Sequence, residues 1–389
     1  MNYILLQGDN RETLKTIPDN SIDAIITDPP YGISFLGKDW DSFRNSKVTK
    51  NSTVKNLGSG MRMTTKTENT NFQLWCEEWA RECLRVLKPG GYMLSFCAPR
   101  MYHRMTVGLE DAGFEIRDQI MWIYSSGFPK SQDVGKSIER NEKKTKEKFT
   151  QTLSSNDAMT VEFRPNNVCI NCGKTNNGSN HLKCEEQVCG MKQLMAPADN
   201  VWAGWGTALK PAHEPIAMAR KPVSKGNTIA ANCQQWGTGA INIDATRIES
   251  ETLVYPANGM NRLEFNQSEP DKWQGENTIN DKGRFPSNVI GDIPDYQKFF
   301  YCPKVNRKER HMEGSLENIH PTVKPIELMK YLIKLVTPRG GTVLDPFNGS
   351  GSTGCAAVEL GHTYIGCELD AAYIEISKKR IEAWNSNQT

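Results

Sequence analysis

A chain of 389 residues, 38% of them apolar, is long enough to bury one large core together with an inserted module, so one or two domains are expected. A formal net charge of +2 excludes a global electrostatic field as the source of any nucleic-acid affinity and leaves that task to local basic clusters. With no apolar run of membrane-spanning length and no leader-like segment before the first strand, neither a membrane span nor a signal peptide is expected. Eleven cysteines, an odd number, then predict reduced thiols in cytoplasm rather than a disulfide framework.

In chain order, Tyr3–Leu6 reads as a first strand, followed by Gly8-Asp9 and a short helix over Asp9–Ile17. Ser21–Ile26 is a short, largely apolar strand of the buried parallel type, ended by Thr27. Asp28-Pro29-Pro30-Tyr31 comes next, and its prolines forbid helix and fix an extended turn. A turn at the carboxyl end of a parallel strand is where open α/β sheets bind ligands. This one offers a carboxylate, a proline carbonyl and an aromatic face, which suit a planar ring bearing an NH2 group, such as a base lifted out of a helix. A plain Asp-Pro-Pro turn with a packed tyrosine is the bland alternative.

Residues 42–70 are rich in Ser, Thr, Asn and Lys and predict a flexible loop. Its basic residues, among them Arg44, Lys47 and Lys55, suit either a solvated linker or a loop ordering over phosphates. Helix Phe72–Leu87, strand Tyr92–Cys97, helix Met101–Gly113 and strand Glu115–Ile123 continue the alternation. In the loop Ser126–Ser131, Phe128 reads as a packed core aromatic, against a base-enclosing role that only the family resemblance given below implies. Asp133–Lys148 is a charged, solvated helical stretch, after which the alternation breaks and an insertion begins. The insertion carries Cys169, Cys172, Cys184 and Cys189 in a CxxC…CxxxxC pattern, with His181 as a substitute ligand. That spacing predicts a structural zinc, against free thiols or a redox pair. Trp202, Trp205 and Trp236 read as packing anchors, against base stackers as the alternative. Residues 228–284 are weakly periodic, with Arg247, Arg262 and Arg284 as candidate contacts to phosphates or guanine edges, and Phe299–Lys304 reads as a further strand.

Near the carboxyl end, Gly341–Asp345 is a strand, Pro346–Gly351 a glycine-rich turn, and a helix begins near Ser352. The second strand of this unit, His362–Glu368, ends in an acidic residue placed to bind ribose hydroxyls. The lysine of a phosphate-binding loop is missing, so a nucleoside without a triphosphate fits better.

Asp28-Pro29-Pro30-Tyr31, the loop Asp345-Pro346-Phe347-Asn348-Gly349-Ser350-Gly351, the segment His320-Pro321-Thr322-Val323-Lys324-Pro325 with its amphipathic helix Ile326–Leu335, and Gly8-Asp9 together resemble the amino-methylating DNA methyltransferases that use S-adenosylmethionine. The order, catalytic motif first and cofactor loop last, is that of the family's circularly permuted β group. Phe35–Asp41 and Gly204–Pro211 are similar to segments of methyltransferases carried by phages and prophages.

The resemblance implies a doubly wound, mostly parallel, seven-stranded α/β sheet, circularly permuted, with an inserted target-recognition region. It further implies catalytic roles for Asp28, Pro29, Pro30 and Tyr31, and cofactor contacts from Asp9, Thr322, Lys324, Asp345, Phe347, Asn348, Gly349, Ser350, Gly351 and Glu368. It also brings Ala203–Ser224 back beside the cofactor site. The organisation expected is a catalytic half over 1–135, an insertion with the cysteine knuckle over 136–200, a return to the core with the target-recognition region over 201–310, and a cofactor half over 311–389. Duplex DNA is the partner implied, with a homodimer and a cognate restriction endonuclease as further candidates, in the cytoplasm of a bacterial or phage-infected cell.

The target expected is adenine N6, because the family's cytosine-N4 members more often carry Ser where Asp28 stands. Cytosine N4, RNA, a protein glutamine and a catalytically silent DNA-binding protein are the alternatives. No cysteine follows a proline, so ring-carbon methylation through a cysteine nucleophile is disfavoured.

Overall fold

The computed structural model describes residues 2–33, 41, 43, 66–124, 131–141, 201–248, 253–255, 278–280, 282–291, 304–311 and 316–386. Cys169, Cys172, Cys184 and Cys189 lie outside these residues, as do Phe128 and all of the expected strand Phe299–Lys304 except Lys304. The chain divides into two units, Met1–Gly127 with Ala212–Thr389, and Phe128–Pro211.

The larger unit is built on strands β1 (Tyr3–Gln7), β2 (Ile22–Thr27), β3 (Leu87–Phe96), β4 (Glu115–Ile123), β5 (His213–Arg220), β8 (Val289–Gly291), β9 (Thr342–Asp345) and β10 (Thr363–Glu368). They form one sheet in the order β1-β10-β9-β2-β3-β5-β4-β8. Two further short strands, β6 (Leu253–Tyr255) and β7 (Thr278–Asn280), make a separate antiparallel pair. In the main sheet β5 is antiparallel to both its neighbours, and every other pairing is parallel. The doubly wound, mostly parallel sheet is therefore as expected, with the three-residue β8 adding an eighth strand at the far edge. Three residues among glycines and prolines carry no periodicity of their own, and the pairing with β4 is what makes them a strand.

Alternation along the strands builds two cores. Ala24 and Ile26 of β2 pack with Leu94, Phe96 and the helices Ile326–Val336 and Ser352–Glu359, whereas Ile25 and Met93 pack on the opposite face with Phe72, Trp79 and Leu109. Helices thus cover both faces, and all six residues of β2 are buried, four of them apolar with Asp23 and Thr27 as the exceptions.

Several boundaries moved. The helix expected from Phe72 begins at Lys66, so the loop expected over 42–70 ends earlier; Glu68 lies in the first turn of the helix, buried, where a carboxylate complements the helix dipole. Strand β3 starts at Leu87 rather than Tyr92, because Ile22 pairs with Leu87 and Ala24 with Tyr92 across an irregular stretch that absorbs Lys88–Gly91. The weakly periodic segment 228–284 opens with a helix, Ile229–Trp236, capped by the Thr228 hydroxyl at one end and a left-handed Gly237 at the other.

In the smaller unit, Asp133 and Gly206 form an isolated antiparallel bridge, residues 134–141 are helical, and the Trp202 and Trp205 rings meet edge to face at 5.4 Å. Among the described residues no helix is long and apolar enough to cross a membrane, and no group of three or more His, Cys, Asp or Glu stands ready to hold a metal ion.

Candidate active site

The turn Asp28–Tyr31 leaves the carboxyl end of β2, and the glycine loop leaves the carboxyl end of β9, the strand paired with it. A buried bracket joins the two. Thr27 Oγ1 donates to Asp345 Oδ1 at 2.8 Å, and Thr353 Oγ1 donates to Asp345 Oδ2 at 2.7 Å. The Phe347 N–H adds a third hydrogen bond to Oδ1 at 3.0 Å. Burial pushes the Asp345 carboxyl up to about 6, against the opposing pull of these donors. Both carboxylate oxygens of Asp345 are therefore spent inside the protein, and its work is to hold the loop.

The loop itself is tied from three more directions. The Asn348 N–H donates to the Cys367 carbonyl at 2.8 Å, and its side-chain oxygen accepts from Tyr364 at 2.8 Å and Ser377 at 3.1 Å. Glu368 Oε2 accepts from the Gly349 N–H at 2.8 Å and Oε1 from the Asp370 N–H at 2.9 Å. Arg380, fully buried, donates to the Ser350 carbonyl at 2.7 Å and hydroxyl at 2.9 Å. Gly349 has φ of 51°, and a Cβ there would stand 2.9 Å from His320 Nε2, so glycine is required at this point. Phe347 packs edge-on against Trp79 at 5.3 Å, with Trp75 tilted at 5.5 Å.

These residues fit a nucleoside bearing a sulfonium. Glu368 keeps lone pairs beyond the two it has used, the loop leads into the amino end of the helix Ser352–Glu359 with no side-chain cap at Gly351, and the loop carries no lysine for a phosphate chain. Asp9 caps the helix Asn10–Thr13 by accepting from the Arg11 N–H, and its carboxylate is also ion-paired with the Arg11 guanidinium at 2.7 Å. Asn10 reaches the Pro346 carbonyl at 3.2 Å and so ties the Gly8-Asp9 segment to the loop. The Thr322 carbonyl is taken by His320, whose ring stacks edge-on with Tyr373 at 4.5 Å.

The turn Asp28–Tyr31 is a charged cluster. Tyr31 Oη donates to Asp28 Oδ1 at 2.7 Å and lies 3.2 Å from Glu214 Oε2 on β5. Lys324 Nζ, buried, donates to Asp28 Oδ2 at 2.5 Å and Tyr31 Oη at 3.2 Å, and pairs with Glu214 Oε2 at 3.4 Å. Burial pulls the lysine pKa down, but the carboxylates of Asp28 and Glu214 outweigh it and hold the ammonium above its ordinary value. Burial and the same two carboxylates push the Tyr31 phenol well up, so it is neutral at physiological pH. Phe96 faces Lys324 at 4.7 Å, and Lys304 lies 3.7 Å over the Tyr124 ring and 3.8 Å from Glu214 Oε1.

Behind the turn, the Asp41 carboxylate accepts from the Gly32 N–H at 2.6 Å and the Ile33 N–H at 3.2 Å. Gly32 sits at φ of 68° with the Phe72 ring 2.6 Å from where a Cβ would be, so the chain passes Tyr31 in one path only.

The structure thus brings Asp28, Pro29, Pro30 and Tyr31 beside the loop Asp345–Gly351 and Glu368, through Thr27. It puts the ammonium of Lys324 on Asp28, where the resemblance implied a cofactor contact. Thr27, Asp41, Thr353 and Arg380 were not singled out from sequence, and the contacts of Glu214 and Lys304 with this cluster were not foreseen.

Comparison with known proteins identifies the class. The DNA methylase family of N6-adenine and N4-cytosine methyltransferases matches over residues 22–379, and the chain belongs to it. The type II methyltransferase M.HindIII of Haemophilus influenzae is 25% identical over 398 residues, covering 98% of this chain and 96% of that protein. M.HpaI of Haemophilus parainfluenzae is 24% identical over 98% of this chain and 75% of its own length. Among solved structures, the cytosine-N4-specific PvuII DNA methyltransferase aligns over 99% of this chain and 92% of its own, with 12% identity and a TM-score of 0.49. The M1.HpyAVI–SAM complex aligns over 97% and 98%, with 17% identity and a TM-score of 0.43.

Proposed function

We propose that this DNA methyltransferase acts on the exocyclic N6 amine of adenine in duplex DNA, taking the base out of the stack into the turn Asp28–Tyr31. When bound, S-adenosylmethionine supplies an electrophilic methyl on a good leaving group, held by the loop Asp345–Gly351 with Glu368 toward the ribose and Gly8-Asp9 toward the adenine. The amine lone pair is delocalised into the ring and is a poor nucleophile. Asp28 and the Pro29 carbonyl accept its two hydrogens, which favours a tetrahedral nitrogen with its lone pair free. Tyr31 stacks on the ring and holds it in line, so that catalysis is chiefly orientation.

The observation that carries this reading is the bracket Thr27–Asp345–Thr353, which couples the amine-holding turn to the glycine loop at adjacent strand ends. A carboxylate at position 28 favours adenine over cytosine N4 by the family habit already described. The test is to express the protein in cells lacking other DNA methyltransferases, then sequence the DNA by a methylation-sensitive method and digest it to nucleosides for mass spectrometry. N6-methyladenine at one sequence context is expected; N4-methylcytosine in its place overturns the choice of base.

A further inference from the structure

We infer that Lys324 is a reader of the target base: its ammonium leaves Asp28 when the base enters and donates a hydrogen bond to the ring nitrogen next to the exocyclic amine. The inference rests on the reading of Asp28–Tyr31 as the amine-holding turn.

Both oxygens of Asp28 are already committed in the free chain, Oδ1 to Tyr31 at 2.7 Å and Oδ2 to Lys324 at 2.5 Å. An incoming amine hydrogen competes with these donors for the lone pairs of Asp28. Tyr31 is bound to the turn itself and supplies the stacking face, so the donor that yields is Lys324. It can yield without being stranded, because Glu214 Oε2 stands 3.4 Å away and Phe96 presents its ring face at 4.7 Å. A buried ammonium has three donors and no acceptor, so the vacated donor needs a new partner at once.

The chemistry of the base supplies it. In adenine and in cytosine the ring atom beside the amino-bearing carbon is a nitrogen with a free lone pair. In guanine and thymine the corresponding edge carries a carbonyl oxygen next to an N–H. An acceptor (Asp28) beside a donor (Lys324) therefore matches the first pair and opposes the second at both positions, which is discrimination by unmatched polar groups. The contact draws some electron density from the amine; Asp28 returns it by accepting an amine hydrogen.

The test uses the full-length protein and DNA carrying its target site, with the target base replaced by its deaza analogue lacking that ring nitrogen: 1-deazaadenine, or 3-deazacytosine if cytosine is the methylated base. The wild-type protein should methylate the analogue about 10- to 100-fold more slowly in kcat/KM, the cost of a lost charge-assisted hydrogen bond; equal rates overturn the inference whatever the variants do. Lys324→Met should lower the rate on the normal base and erase the difference between base and analogue, whereas a difference as large as wild type overturns the inference. If Lys324→Met does not fold, Lys324→Gln takes its place; it should shrink the difference, and an unchanged difference again overturns the inference. No transfer by wild type to any unmodified DNA would instead sink the underlying methyltransferase reading.

Discussion

The glycine loop and the catalytic turn occupy neighbouring strand ends, yet they are held in opposite ways. Around the loop, nearly every tie runs through a neutral donor or a backbone group: Thr27, Thr353 and Tyr364 hydroxyls, the Gly349 and Asp370 N–H groups, the Cys367 carbonyl. Around the turn, the ties are charges: Asp28, Lys324 and Glu214, with Lys304 at the rim. The loop has its shape before any ligand arrives. On the inference drawn above, the turn exchanges partners when it works, and a buried charge that changes partner is costly unless a second counterion stays with it. On the proposed function Glu214, on β5, is that counterion, 3.4 Å from the Lys324 ammonium.

The contrast is broken most sharply at Asp28. Asp28→Ala should reduce methyl transfer by about 1000-fold or more while leaving cofactor affinity nearly unchanged, since none of the loop's ties passes through it. Calorimetric titration with the cofactor beside a radiolabelled transfer assay checks both halves, and retained activity would remove Asp28 from catalysis.

The second prediction concerns pH. The Asp345 carboxyl sits at about 6 in the fold, against an unfolded value near 3.8. Its stabilising contribution is thus full below the unfolded value and is lost as pH rises through 6, where the folded carboxyl must ionise in a buried site. Unfolding free energy measured for wild type and Asp345→Asn between about pH 4 and pH 6.5 should differ in slope by at most about 3 kcal/mol over that span. Parallel curves would show that Asp345 is not titrating there.

The smallest effect expected is at Glu368. Glu368→Ala removes two backbone ties and the group facing the ribose, and should raise the cofactor dissociation constant about tenfold. An unchanged constant removes it from the ribose role and leaves it as an anchor for Gly349.

What was legible in the sequence follows the same divide. Strands β1, β2, β4 and β10 announce themselves through apolar runs, and the glycine loop through local spacing, because their causes lie within a few residues. The ties of the turn are not local. Lys324 lies 296 positions from Asp28, and Glu214 lies 183 from Tyr31. Nothing in the periodicity of either segment says that their side chains converge. The antiparallel β5 was not read as a strand; resemblance returned only its segment, Ala203–Ser224, to the core, and its direction is set by its neighbours. Asp41 was invisible for another reason: a carboxylate that folds back on two N–H groups looks, in sequence, like any polar loop residue.

The pairing of Tyr3 with Tyr364 carries a consequence in time. Among the described residues β1 has one sheet neighbour, β10, which leaves the ribosome long after it. At about 5–20 residues per second, the amine-holding turn waits on the order of tens of seconds for its glycine loop. Through that interval Asp28 lacks Lys324, and Thr27 lacks Asp345. On the proposed function, the base site and the cofactor loop meet only once β9 lies between β2 and β10.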